Sequence, residues 1–322
     1  MAKQNKFTVS HAPFWHDGSS IKCMNINIMI AALPAALFGV MQFGMPALGV
    51  LCLAVSSAMA WEALFNLISR RPVAINNYNA AVIGMMVGMM MPATIPWWVL
   101  ITGTFIAVVV GQQIFGGIGA NPFNPAVIGI SILMVSWGGH FDFDAVLVNY
   151  DFTFTALTPL AALDHQGVAA VNLFSYSDLI MGKQMGAIGS VFGAGLILGG
   201  IYLILRGFIR WEIAVSYIAG IVVTAALFNI SNPDQYAGAM FHLFTGYTLL
   251  GAFFLATESS SSPVNLIPMF IYGAIGGIMT ILIRNIGAYP DGTLFAILLI
   301  NLINPLIDNI RPKALGRGVN NA

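Results

Sequence analysis

Apolar residues along this chain gather in ten runs, at positions 25–43, 47–68, 80–91, 96–115, 125–137, 186–205, 211–230, 241–256, 266–283 and 293–310. Polar, glycine- and proline-containing connections separate them. A bilayer core takes about 20 apolar residues of helix, so the pattern predicts an all-α polytopic membrane protein with about ten transmembrane helices. The runs at 80–91 and 125–137 are too short to cross as straight helices. They are expected to be broken, tilted or completed by polar loop residues, which is tolerated where protein or a cavity satisfies the freed backbone.

The runs repeat. Ile118-Gly119-Ala120-Asn121-Pro122 returns 168 positions later as Ile286-Gly287-Ala288-Tyr289-Pro290, and the same offset brings the earlier runs into rough register. Self-similarity at one offset marks internal duplication. Five spans per copy is an odd number, which turns the second copy upside down relative to the first. Inverted repeats place a binding site where the halves meet. The chain then divides into a polar arm at 1–24, a first five-helix repeat at 25–137, an external loop at 138–185, a second five-helix repeat at 186–310 and a tail at 311–322.

Composition narrows the class. Of 322 residues only 7% are charged and 58% are hydrophobic, with mean hydropathy +0.85; soluble domains carry about 25% charged residues. The zero formal net charge argues against nucleic acid as a partner. Residues 1–22 hold no apolar stretch, so no cleavable signal peptide is expected. Cys23 and Cys52 are too few for a structural zinc or an iron–sulfur cluster within one chain. If the N-terminus is cytoplasmic, ten of the twelve Lys and Arg fall inside and only Lys183 and Arg284 outside. The positive-inside rule therefore sets both termini in the cytoplasm and the 138–185 loop outside.

Two connections on the cytoplasmic side carry candidate chemistry. Gly116 to Ala126 combines glycines that permit close backbone approach, prolines that leave carbonyls unpaired, and Asn121 and Asn124, which both donate and accept. Ala256 to Pro263 adds Thr257 and Ser261. Together they suit the polar edge of a planar heterocycle whose body lies among apolar side chains; equally, Asn and Ser would cap broken helices. Thr155-Ala156-Leu157-Thr158-Pro159-Leu160 in the external loop is, taken alone, ordinary turn chemistry. Glu62 sits inside the second run, where a charge costs ~2.5–3.5 kcal/mol at a helix centre, so it faces protein or water or snorkels to the boundary. His242 reads as a packed or interfacial histidine. The Met85–Met91 run reads as packing, having no His or Cys partner for a metal. No catalytic or metal-ligand constellation is expected.

The ordered set of Asn121-Pro122-Phe123-Asn124-Pro125-Ala126, Thr158-Pro159-Leu160, Gly251 to Thr257, Tyr289-Pro290-Asp291-Gly292 and Asn304-Pro305-Leu306-Ile307-Asp308 resembles one family over nearly the full length. It looks like the D subunit of the Rnf ion-translocating ferredoxin:NAD oxidoreductase, which is similar to the B subunit of the sodium-pumping NADH:quinone oxidoreductase. The resemblance implies a ten-helix inverted repeat similar to urea transporters. It also implies an FMN joined by a phosphoester to the threonine matching Thr158, attached by a flavin transferase, and a second, noncovalent flavin (riboflavin or FMN) inside the membrane domain. Asn121, Asn124, Thr257 and Ser261 are the candidates for that second site. The chain departs from the family's Ser/Thr-Gly-Ala-Thr pattern at Ala156 and Leu157, and the upstream acidic residue, Asp151, is displaced by one. The implied role is electron transfer in a bacterial inner membrane, with other membrane and peripheral subunits of the complex as partners and Na+ or H+ translocation coupled to it. The B subunit of the quinone-reducing pump and a channel for a small neutral solute are the alternatives.

Overall fold

A computed structural model describes residues 20–72, 75–152, 154–155 and 157–310. Most of the expected N-terminal arm, the tail at 311–322 and Ala156 lie outside the described residues. Every regular element among them is helical. Helices α1 (Ile21–Phe43), α2 (Met45–Ile68), α3 (Asn79–Met89), α4 (Trp97–Gln113) and α5 (Pro125–Ser136) occupy the first five runs. After α5 the 138–185 segment folds into short helical pieces, the longest α-helix among them being α6 (Pro159–Gln166). The second set contains α7 (Gly193–Leu205), α8 (Trp211–Ser231), α9 (Ala239–Phe244), α10 (Leu266–Ile286) and α11 (Thr293–Ile307). Helices α1, α2, α8 and α10 are long and apolar enough to cross a membrane, and α3, α4, α5, α7 and α11 are shorter apolar helices. The chain is a polytopic membrane protein. Its helix starts keep the spacing of the sequence echo: α5 begins at Pro125 and α11 at Thr293, 168 positions apart, and α4 and α10 begin 169 apart, at Trp97 and Leu266.

Where the runs do not fold as single helices, other groups take up the freed backbone. The run at 186–205 is helical only from Gly193; before it, Ile188 N–H donates to Met91 O at 3.1 Å and Gly189 N–H to Met89 O at 2.8 Å, just past the end of α3. The run at 241–256 breaks after α9 at Gly246, whose φ of 65° suits a residue without Cβ. It resumes at 248–255, the last five residues as a π-helix. Thr248 Oγ1 donates to His242 O and Thr245 O, both at 2.9 Å, and Arg284 Nη1 donates to His242 O at 2.8 Å. Short spans are thus possible because side chains and neighbouring segments satisfy the carbonyls that lipid would leave unpaired.

Burial follows membrane logic. Large apolar residues such as Met41, Leu205 and Leu306 are exposed, as a lipid-facing surface requires, while small residues line the helix contacts. A Cβ on Gly277 of α10 would lie 2.2 Å from Tyr217 O of α8. Such small-residue interfaces let membrane helices approach at backbone distance. We expect Gly277→Leu to force α8 and α10 apart, at more than the ~1–3 kcal/mol usual for overpacking, and to lower the yield of monodisperse protein in detergent severalfold. An unchanged elution profile and melting point would show that this contact is dispensable. Glu62 is buried against protein and does not face lipid.

Two candidate cofactor cavities

Thr158 stands at the N-cap of α6, with Pro159 supplying the preset φ of the first helical position. Its N–H donates to Asp144 Oδ1 at 2.6 Å, and its hydroxyl donates to the same oxygen. Asp144 lies in a short helix, Phe143–Val146, capped by Asp142. The half-buried Thr158 opens onto a cavity of about 530 Å³ that also takes in Asp144, Tyr247, Met185 and Asp291. Thr155 is exposed and does not line it. The carboxylate hydrogen-bonded to the threonine is that of Asp144, whereas the resemblance points to Asp151 as the upstream acidic residue of the motif. Fourteen residues separate Asp144 from Thr158, and no local pattern reports which carboxylate folds back onto a loop.

A second cavity, of about 330 Å³, lies among α1, α3, α5 and the 248–255 segment. Its walls are mostly apolar, with Ile28, Ile83, Met86, Phe253 and Phe254, and its polar residues include Asn25, Asn79, Gln112, Asn124, Thr257 and Glu258. That composition, a mostly apolar cleft with a few placed polar groups, is the usual one for small-molecule and cofactor sites. Asn124 and Thr257 line it as the sequence suggested. Asn121 and Ser261 are buried beside it and do not line it.

The asparagines divide their duties. Asn124 caps α5, its Oδ1 accepting from Ala126 N (3.0 Å) and Val127 N (3.2 Å). Its Nδ2 donates to Leu255 O at 2.9 Å, and its N–H to Asn301 Oδ1 at 3.1 Å, so it also ties α5 to the second half of the chain. Asn121 Nδ2 donates to Phe123 O (3.0 Å) and Glu258 Oε2 (3.3 Å). Asn121 Oδ1 and Ser261 Oγ are buried without a hydrogen-bond partner among the described residues. Thr257 Oγ1 donates back to Phe253 O at 2.7 Å. Sequence reading missed Asn25, Asn79 and Gln112; Asn79 Nδ2 donates to Gln112 Oε1 at 3.0 Å. A polar residue inside or beside each apolar run was the available signal.

The two cavities sit at opposite ends of shared elements. Pro125 in the first turn of α5 lines the smaller and Met134 in its last turn the larger, about 14 Å apart at 1.5 Å per residue. Tyr247 lines the larger and Phe253 the smaller, roughly 9 Å apart by the same rise. Met89, Met90 and Met91 follow directly on the α3 stretch that lines the smaller cavity, and all three are fully buried, as is Leu250 between Tyr247 and Phe253.

The described residues thus form an all-helical membrane protein with a cavity lined by a threonine hydroxyl near one end of α5 and an apolar, amide-rimmed cavity near the other. The chain belongs to the NQR2, RnfD, RnfE family, whose model matches residues 8–316. It is 35% identical to the D subunit of the Na(+)-translocating ferredoxin:NAD(+) oxidoreductase complex of Acetobacterium woodii, over 96% of this chain and 94% of that one. It is 33% identical to the D subunit of the proton-translocating ferredoxin:NAD(+) oxidoreductase complex of Clostridium ljungdahlii, over 95% of each. With the D subunit of the ion-translocating oxidoreductase complex of Aeromonas salmonicida it shares 32% identity, over 96% of this chain and 99% of that one.

Proposed function

We propose that this chain is the D subunit of an Rnf-type complex, a membrane electron-transfer subunit that carries an FMN esterified to Thr158 and a second, noncovalent flavin, riboflavin or FMN, in the Asn124–Phe254 cavity. The carrying observation is the pair of cavities joined by α5 and by the 247–253 segment, one opening on a threonine hydroxyl and one shaped for an apolar ring system with polar edges. When bound, the flavins supply the one-electron chemistry; the protein supplies position, electrostatics and exclusion of water. The N-terminus of α6 favours the negative charge of a phosphoester at Thr158, and Asp144 accepts the hydrogen bond of the hydroxyl that the ester replaces. Partner subunits of the complex would provide the ferredoxin and NAD sites, and a flavin transferase the attachment. Na+ or H+ translocation would be coupled to the electron flow. A solute channel fits less well, because the segment that runs from Tyr247 at one cavity to Phe253 at the other carries a fully buried apolar residue, Leu250, between them.

In this reading the two sets of five spans form inverted repeats, as the spacing of helix starts supports. Both termini are cytoplasmic and Thr158 is external. A reporter fused between Asp142 and Asp178 is expected to behave as external and one at Arg206–Arg210 as cytoplasmic. A cytoplasmic signal from the first fusion would overturn the orientation.

For the noncovalent flavin, Phe254→Ala together with Gln112→Leu is expected to lower extractable flavin by tenfold or more while the protein still inserts. Lost ring contact and an unpaired edge atom each cost ~1–3 kcal/mol. Asn124 is a poor probe for this purpose, since its replacement also removes a helix cap worth about 1 kcal/mol. Undiminished extractable flavin in the double variant would place the second flavin elsewhere.

A further inference from the structure

We propose that His242, Arg284 and Asn285 receive the pyrimidine edge of the flavin tethered to Thr158; this rests on the attachment argued above. The three residues line a cavity of about 280 Å³ beside the Thr158 cavity. Leu160 and Asp164 of α6 line both cavities, as do Ala288, Tyr289 and Pro290. From Thr158 to Asp164 α6 runs roughly 9 Å at 1.5 Å per residue, a stretch that a ribityl chain and its fused rings can follow.

Four buried nitrogens at this place have no hydrogen-bond partner among the described residues: His242 Nδ1 and Nε2, Arg284 Nε and Asn285 Nδ2. His242 is fully buried, and the Arg284 side chain is 1% exposed. The guanidinium is otherwise engaged, Nη1 with His242 O, and Nη2 with Thr248 Oγ1 at 2.8 Å and Asp291 Oδ1 at 2.9 Å. Nε is the one guanidinium nitrogen with no partner among the described residues. Buried polar groups in folded proteins are almost always paired, so several unpaired atoms on residues that line one cavity point to a bound molecule.

The chemistry of those atoms selects its class. Arg284 Nε and Asn285 Nδ2 can only donate, whereas a neutral imidazole offers one donor and one acceptor. A simple oxyanion presents acceptors alone and leaves the imidazole acceptor unpaired. The pyrimidine edge of an isoalloxazine alternates carbonyl, ring N–H and carbonyl, which meets donor, acceptor and donor together. Arg284 then lies beside the ring on which reduction places negative charge, and a fixed cation there stabilises the reduced form. Asp291, paired with Arg284 on another side, positions the guanidinium.

The test uses the full chain co-expressed with a flavin transferase, reading the fluorescent denatured band and the midpoint potential of the covalent flavin by redox titration. His242→Phe and Asn285→Leu are expected to keep the band and shift the potential downward, while His242→Gln, which retains a donor and an acceptor, stays nearer the parent value. A retained band with parental potential and absorption spectrum in both apolar variants would overturn the receptor and leave the attachment at Thr158 standing. Absence of the band from the parent protein itself would instead overturn the attachment, and the receptor with it. Should His242→Phe fail to fold, Asn285→Leu, at a partly exposed position, decides the matter alone.

Discussion

Thr158→Ala is expected to abolish the yellow fluorescence of the denatured band, an all-or-none loss, because the ester needs a side-chain oxygen. The hydroxyl at Thr158 lines the 530 Å³ cavity and sits at the start of α6, whereas Thr155 is exposed outside it. Thr158→Ser keeps the oxygen and is expected to retain part of the signal. Thr155→Ala is expected to retain the flavin. Intact mass after denaturation gives an independent reading, as only a covalent group survives unfolding. Fluorescence persisting in Thr158→Ala would move the attachment. A parent protein without flavin, despite a competent transferase, would mean that Ala156 and Leu157 have broken recognition.

The second large effect concerns Asp291. Its Oδ1 accepts from Arg284 Nη2 at 2.9 Å, Thr293 Oγ1 at 2.7 Å and Thr293 N at 3.1 Å, and its Oδ2 accepts from Tyr247 N at 2.6 Å. One carboxylate therefore ties the chain break at 245–247 to the C-terminal end of α10 and the start of α11. Burial opposes its charge, yet Arg284, Thr293 and the Tyr247 amide outweigh burial and hold its carboxyl below the ordinary carboxylate range. Asp291→Ala leaves Arg284 buried and uncompensated, a loss of ~3–5 kcal/mol. Against a total stability of about 5–15 kcal/mol, that is enough to lower the detergent melting point sharply. Asp291→Asn, which keeps an acceptor, is expected to fall between. Since the folded pKa is depressed, the contribution is complete above the unfolded value of about 3.9. It is lost only as pH falls through the lower folded value, so melting near neutral pH is expected to be flat with respect to this group. An Asp291→Ala protein that melts with its parent would show the pair to be worth nothing net.

The hydrophobic pattern carried far for the class and for most helices. Among the described residues nine apolar helices overlap nine of the runs read from sequence, with ends that differ by up to seven residues (Gly193 against position 186), and the echo at 168 positions reappears in the starts of α5 and α11. It carried less far at 186–192 and 245–247, where an apolar composition continues but the helix does not. Hydropathy counts residues and is blind to which carbonyls a neighbour can satisfy; here Ile188 and Gly189 pair with the Met89–Met91 stretch, and Arg284, Thr245 and Thr248 close the second break. Among residues that line the two cavities, Thr158, Asn124 and Thr257 were legible because each stands in a punctuated motif beside an apolar run. Asn79, Gln112 and Asp144 were not. Their partners are distant in sequence, and a single polar residue in or near a helix reads the same whether it faces a cavity, a cap or a neighbouring helix.

Sequence alone determined that this chain is a polytopic membrane protein, and it marked the echo at 168 positions and the polar loops around Asn121 and Thr158 as places to look, because transfer free energy and turn propensity are local properties summed along the chain. Only the tertiary structure decided that Asn124 is a cap and a bolt as well as a wall of the cavity, that Asp144 is the acid at Thr158, and that His242, Arg284 and Asn285 converge on one space. Those facts depend on which segments pack together, and packing in a membrane is set by small-residue contacts and buried hydrogen bonds between residues far apart in the chain.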